Sequence, residues 1–161
     1  MDSVAIAPFL ESTYPDPPVP LTSELGLEIE AKARGLVGKA FYASVMPREI
    51  NLLSPRSQEY FRRSREAVIG HRLEDLLDLE REDQAWKAVG DGMRAVDELI
   101  QTNKAQGPFV LGARPSGTDF FIAGAIQCSK VVDEGVFQRN IEYPGFRGIY
   151  EACLPYMEKK D

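Results

Sequence analysis

Residues 107–126 constrain the fold of this 161-residue chain most, because they contain the start of a helix followed directly by an apolar run. Ser116 is placed to accept a hydrogen bond from a free N–H of the first helical turn, and Asp119 to accept one from the N–H of Ser116. This pair predicts a structural capping box in which Asp replaces the commoner Glu or Gln. Residues 120–126 have almost no polar side, which predicts that the helix lies at the centre of a core.

Helical spacing of apolar residues dominates the rest of the chain, and the predicted fold class is all-α. Thr22 or Ser23 is a candidate N-cap, and Ser54 precedes Pro55 at a first helical position. Residues 73–79 are predicted to be helical or turn-like, and the only strand-like segment, at residues 109–111, is too short to build a sheet. The predicted helices cover residues 3–13, 22–43, 55–69 and 83–105, a core helix from Ser116, and residues 133–140 and 144–158.

Charge and composition exclude several classes of protein. A net charge of −6 argues against a non-specific nucleic-acid binder and against electrostatic docking on anionic membranes. No apolar run approaches the roughly 20 residues of a membrane-spanning helix, and the first residues do not resemble a secretory signal. Cys128 and Cys153 are expected to be reduced and buried. These features together predict a cytoplasmic protein.

His71 is the only histidine and therefore a candidate catalytic acid or base, although a solvated turn residue is the alternative. No second histidine and no Cys/His spacing accompanies it, so no metal site is predicted. A basic patch near it could bind a ligand carboxylate or pair with the acidic residues of segment 74–83. The patch consists of Arg62, Arg63, Arg65 and Arg72.

Three segments resemble the glutathione transferase family. The aromatic-aliphatic-Leu-Gly sequence from Phe109, followed by x-x-Pro-Ser-x-x-Asp up to Asp119, resembles the start of the core helix in the family's all-helical C-terminal domain. Residues 2–15 are similar to the last helix of its thioredoxin-like N-terminal domain. Residues 146–157 resemble the closing helix of fungal, etherase-type transferases.

The resemblance implies two parts. Residues 1–20 correspond to the last helix of a thioredoxin-like domain plus a Pro-rich linker, and residues 21–161 to the C-terminal helical domain. The rest of the thioredoxin-like domain, with its catalytic Ser, Cys or Tyr, is expected to be missing. Residues that pack against that domain in the family are then expected to fold back on the bundle or to form a homodimer. They are Val4, Ile6, Phe9 and Leu10.

The resemblance also implies candidate site residues. Asp2 and Ser3 match the acidic-Ser pair that holds the γ-glutamyl end of glutathione, and a simple helix N-cap is the alternative. The end of the first long helix, where the family lines its substrate pocket, carries Phe41, Tyr42 and Met46. An ordinary core is the alternative for these three residues, and it is the commoner one because packing explains them without a ligand. Tyr42 is the candidate polar and catalytic group, and Tyr156 is expected to close the same pocket.

Three functions remain open. The first is a glutathione-transferase-like protein that binds a small apolar metabolite and acts as a glutathione-independent isomerase, dehydratase or cyclase of fungal metabolism. The second is a glutathione transferase that needs the missing N-terminal domain, with glutathione as its cofactor. The third is a non-catalytic ligand-binding or interaction module.

Overall fold

A computed structural model describes residues 3–158. Within that range the chain forms eight α-helices, three short 3₁₀ turns and one isolated β-bridge between Phe109 and Gly112, so the all-α prediction is confirmed. The 3₁₀ turns lie at Ile50–Leu52, Leu73–Leu77 and Lys104–Gln106. The helices are α1 (Ser3–Thr13), α2 (Glu24–Ser44), α3 (Met46–Glu49), α4 (Pro55–Ile69), α5 (Leu79–Ile100), α6 (Gly117–Val132), α7 (Glu134–Ile141) and α8 (Pro144–Met157).

The main core lies where α2 packs on α5 and where α6 packs on α7 and α8. The α2–α5 contact is close, because a Cβ atom at Gly92 would come within 2.3 Å of the Leu36 side chain. The buried residues of the main core come mostly from α2, α5, α6 and α8 and include Ile29, Met93, Val96, Ile122 and Ile149. A second, smaller cluster joins α3 to the Leu73–Leu77 turn beneath α4.

The predicted capping box starts α6 and also holds the preceding turn. One carboxylate oxygen of Asp119 accepts hydrogen bonds from the Ser116 backbone N–H at 2.7 Å and from the Ser116 hydroxyl at 2.6 Å. The other oxygen accepts the N–H of Val110 at 2.8 Å. Asp119 is fully buried. Its carboxylate therefore joins the turn at residues 107–112 to the N-terminus of α6.

Most predicted helix boundaries agree with the structure to within two residues, and α5 is the exception. It was expected at residues 83–105 but spans Leu79–Ile100. The Asp78 carboxylate accepts the Arg81 N–H at 3.0 Å and caps the helix earlier than the apolar pattern indicated. Pro47 falls between the helices predicted at residues 22–43 and 55–69, and it lies in the first turn of the separate short helix α3, where proline is tolerated.

The described apolar residues of α1 do not fold back on the bundle, so the first of the two expected outcomes is wrong and the homodimer stays a prediction. The Val4 side chain lies outside the described part of the structure. Phe9 is 65% exposed, and Ile6 and Leu10 are also exposed. The linker is fixed at both ends, since Glu11 accepts the Val19 N–H and the Pro20 carbonyl accepts the Gly117 N–H. These bonds tether α1 to the bundle without covering its apolar residues.

Among the described residues, no helix is both long and apolar enough to cross a membrane. No group of three His, Cys, Asp or Glu side chains in residues 3–158 is arranged to hold a metal ion.

The Asp119→Ala variant is expected to lower the free energy of unfolding by about 3 kcal/mol or more, because three buried donors lose their acceptor. Asp78→Ala is the matched control, since it removes a solvent-exposed helix cap and is expected to cost about 1 kcal/mol. Urea unfolding followed by circular dichroism measures both. Equal losses in the two variants would show that the Asp119 network has no special importance.

Candidate ligand-binding site

One side of α6 is uncovered, although the sequence predicted a helix at the centre of the core. The buried side carries Ile122, Ala123 and Ile126 as expected. The opposite side carries the partly exposed Phe120 and Phe121 and then Gly124, where an added Cβ would meet nothing within 4 Å. An apolar helix that is open on one side presents a surface for a ligand or a partner.

Side chains from two other helices flank this side of α6. The Tyr156 ring of α8 meets the Phe120 ring edge-on with centroids 5.5 Å apart. The Arg34 guanidinium of α2 lies 4.3 Å from the centroid of the Phe121 ring. We call Arg34, Phe120, Phe121, Gly124 and Tyr156 the aromatic face.

The aromatic face has polar groups at both margins. Arg34 contacts the Glu30 carboxylate at 3.5 Å, and Glu30 in turn accepts the Thr118 hydroxyl at 2.9 Å. The Tyr156 side chain is 57% exposed, so its hydroxyl is accessible to a ligand. This arrangement can bind a flat apolar molecule through the rings and orient one polar substituent by hydrogen bonding. The sequence did not identify Arg34 as a site residue and did not predict that both phenylalanines are partly exposed. Gly124, a residue without a side chain inside the apolar run, could have indicated the open side of the helix.

The predicted pocket residues do not all lie at this face. Tyr156 does, whereas the Met46 side chain is buried in the second cluster with Ile50 and Leu73. Tyr42, at the end of α2, is 44% exposed, and no described side chain hydrogen-bonds its hydroxyl. The Phe41 side chain lies outside the described part of the structure. The shared pocket of these four residues therefore stays a prediction.

Of the two candidate glutathione-binding residues, the structure describes only the backbone of Ser3. Asp2 lies outside the described residues. Ser3 begins α1, and its side chain is also outside the description. Their predicted contact with glutathione stays a prediction.

His71 lies on the exposed turn that follows α4. Its Nδ1 atom is 2.9 Å from the Arg72 carbonyl oxygen and 3.8 Å from an Asp75 carboxylate oxygen. Among the described residues, no contact joins it to Tyr42, the other candidate catalytic residue. These surroundings match the solvated-turn alternative.

Neither cysteine is placed to act as a nucleophile at neutral pH. Cys153 is fully buried, as predicted, and burial raises the pKa of its thiol to about 11. Cys128 is only partly buried, and the same cause raises the pKa of its thiol. Because the thiolate is the reactive form, these raised pKa values lower the reactivity of both side chains at pH 7.

The basic patch pairs with neighbouring acids, as one of the two alternatives predicted. Arg62 contacts Glu74 at 2.7 Å and Glu66 at 3.0 Å, and Arg72 contacts Glu74 at 3.4 Å. The hydrogen bond from Arg62 is the main reason that the pKa of Glu74 falls from 4.5 to about 2. Arg63 and Arg65 instead lie over aromatic rings of their own helix, those of Tyr60 and Phe61.

The Arg62→Gln variant is expected to raise the pKa of Glu74 toward its usual value of 4.5. A carboxyl group whose pKa is lowered on folding stabilises the fold at pH values above its usual pKa of 4.5. That contribution is lost as the pH falls toward 2. The variant should therefore be less stable than the wild type above about pH 5, and this difference should shrink as the pH falls toward 2. Carboxyl NMR titration of Glu74 measures the shift, with Arg63→Gln as control. An unchanged Glu74 titration in Arg62→Gln would contradict this assignment.

A family model described as "Glutathione S-transferase, C-terminal domain" matches residues 30–140. A relative from Aspergillus flavus, the glutathione S-transferase-like protein ustS, is 27% identical over 98% of the chain. The chain spans only 61% of that relative's length.

Two solved fungal structures are also similar. Glutathione transferase GSTFuA3 from Phanerochaete chrysosporium is 29% identical, with a TM-score of 0.80 over 99% of the chain and 66% of its own length. The glutathione S-transferase CsGST63524 of Ceriporiopsis subvermispora, solved in complex with glutathione, is 26% identical with a TM-score of 0.83. That alignment covers 99% of the chain and 67% of the other protein.

Proposed function

Because the chain belongs to the family of the glutathione S-transferase C-terminal domain, we propose that it binds a small apolar metabolite at the aromatic face. In this proposal residues 21–161 are the helical domain, and residues 1–20 are a preceding helix and linker. The observation that carries the proposal is the open apolar side of α6 around Gly124. Aromatic rings left open there would lose water-exposed area when a flat ligand covers them.

The chemistry of the face favours orientation of a ligand over covalent catalysis. The described thiols are buried or have raised pKa values, so thiolate attack is not supported. The exposed Tyr156 phenol and the Arg34 guanidinium can hold a carbonyl or hydroxyl oxygen of the bound molecule. We propose that such orientation assists proton movement in a glutathione-independent isomerisation, dehydration or cyclisation in the cytoplasm. Tyr42 and His71 remain predicted contributors.

A second candidate is a glutathione transferase activity that also needs a thioredoxin-like domain. Two observations favour it. The similar Ceriporiopsis protein was solved with glutathione, and the chain matches only about two thirds of that protein's length. Asp2 and Ser3 are the proposed glutathione contacts of this chain. A third candidate function is a non-catalytic ligand-binding or interaction module, which would use the same open apolar surfaces.

Binding at the aromatic face can be tested with N-phenyl-1-naphthylamine, a neutral dye that fluoresces in apolar sites. Gly124→Glu places a charge within the face and is expected to abolish saturable dye binding without lowering the melting temperature, since glycine is a poor helix former. Gly35→Glu is the matched control, because Gly35 is also an exposed helical glycine with open space around it. Equal dye binding by both variants and the wild type would reject the aromatic face as the site.

A calorimetric titration of the same proteins with glutathione separates the first two candidates. Heat that saturates in the wild type and is lost in Asp2→Ala would favour the transferase. Dye binding without glutathione binding would favour the glutathione-independent reading.

We also propose that the exposed apolar side of α1 supports a homodimer. Phe9→Asp is then expected to lower the mass measured by light scattering while leaving the melting temperature of the bundle nearly unchanged, because Phe9 is 65% exposed. Leu27→Asp is the control, since Leu27 is a comparably exposed residue on α2. An unchanged mass for Phe9→Asp would exclude α1 as the association surface.

A further inference from the structure

An open cleft of about 630 Å³ lies between α5 and the segment that runs from α7 into α8. Its size is that of a small-molecule site. It is built from other residues than the aromatic face. A second depression of about 510 Å³ continues along α5 beyond Arg94 and shares Arg94, Glu142 and Tyr143 with it. The cleft is therefore an elongated groove along one side of α5.

One end of the cleft combines an aromatic ring with two cations. The Trp86 indole donates to the Ser44 hydroxyl at 2.8 Å, which fixes the ring against α2. The Arg139 guanidinium lies 5.8 Å from the Trp86 ring centroid and is held by a hydrogen bond to Asp83. Lys87 is exposed beside them. This end holds two cations against one carboxylate.

Gly90 and Arg94, one and two turns after Trp86 on α5, form the floor and the far end of the cleft together with Tyr143. Gly90 is buried and has no side chain, and the Arg94 guanidinium is 3.7 Å from the position that a Cβ of Gly90 would take. Tyr143 is partly buried, and this burial raises the pKa of its phenol, so the hydroxyl remains protonated at neutral pH. The floor between the two ends therefore has no side chain at Gly90 and is bordered by the hydrogen-bond donors of Arg94 and Tyr143.

The charges at the Trp86 end of the cleft favour an anion, because Lys87 and Arg139 face only the Asp83 carboxylate there. Three cations, on Lys87, Arg94 and Arg139, face two carboxylates, on Asp83 and Glu142. Arg139 and Arg94 are held by Asp83 and Asp91, a residue outside the lining. Lys87 has no carboxylate within 4.0 Å among the described residues, so its ammonium group is available to a ligand. The cationic excess is therefore confined to the Trp86 end, since Asp91 and Glu142 offset the charge of Arg94 at the far end.

We infer that this cleft binds a small organic anion that carries an aromatic ring, with its carboxylate against Lys87 and Arg139 and its ring over Gly90. Lys87 and Gly90 are three residues apart on α5, which is about 4.5 Å along the helix axis. A carboxylate separated from a phenyl ring by two methylene groups spans that distance. Tyr143 then lies beyond the ring and can donate a hydrogen bond to a polar substituent.

The test compares three ligands that share a phenyl ring on a three-carbon chain and carry a negative, a neutral or a positive end group at pH 7. They are 3-phenylpropionate, its neutral amide and the cationic 3-phenylpropylamine. Trp86 is the only tryptophan of the chain and lines the cleft, so its fluorescence reports binding at this place, and calorimetry measures the affinity. We expect saturable binding of the anion with a change in Trp86 emission, and at least about ten-fold weaker binding of the amide and the amine.

Lys87→Gln is the decisive variant and is expected to weaken binding of 3-phenylpropionate by about ten-fold or more. Lys32→Gln is the matched control, because Lys32 is exposed on α2 and does not line the cleft. Gly124→Glu should bind the anion as the wild type does, which separates this site from the aromatic face. Equal affinity for the three ligands, wild-type affinity in Lys87→Gln, or no saturable binding of 3-phenylpropionate would each overturn the inference.

Discussion

The buried carboxylate of Asp119 meets three donors at the point where the turn at residues 107–112 enters α6. A carboxylate without exposure to water is stable only when its oxygens are hydrogen-bonded, and here both are. The network therefore determines where α6 begins and how the preceding turn lies on it. Because α2, α7 and α8 all pack on α6, the position of this helix sets the geometry of the bundle.

The same helix explains why the domain has an open apolar surface. Its buried side completes the core, while on the other side Phe120 and Phe121 are only partly buried and Gly124 is exposed. The exposed apolar residues of α1 form another uncovered surface. The proposed functions differ mainly in what covers these surfaces: a small metabolite, a second copy of the chain, or another domain. The α5–α7 cleft differs from both, because its walls are charged.

Local signals in the sequence predicted most of the helices, and non-local contacts account for the differences. The Ser116–Asp119 box and the Ser54 cap with its following proline were predictable because each cap joins residues three apart. The start of α5 was missed because its cap at Asp78 lies within an acidic run. Met46 was grouped with Tyr156 by resemblance, but it packs under α4 and Tyr156 packs on α6.

The sequence by itself determined the helical class, the helix caps and the acidic charge, because these depend on residue types and on spacings of three or four residues. The family resemblance was also visible in the sequence, since its motifs are contiguous. Only the tertiary structure decided which side of α6 stays open, because residues 120–126 are apolar on every side of that helix and packing alone selects one. The tertiary structure also decided where the cleft forms, because its Asp83–Arg139 contact joins residues 56 apart in the sequence. No local pattern encodes a contact at that separation.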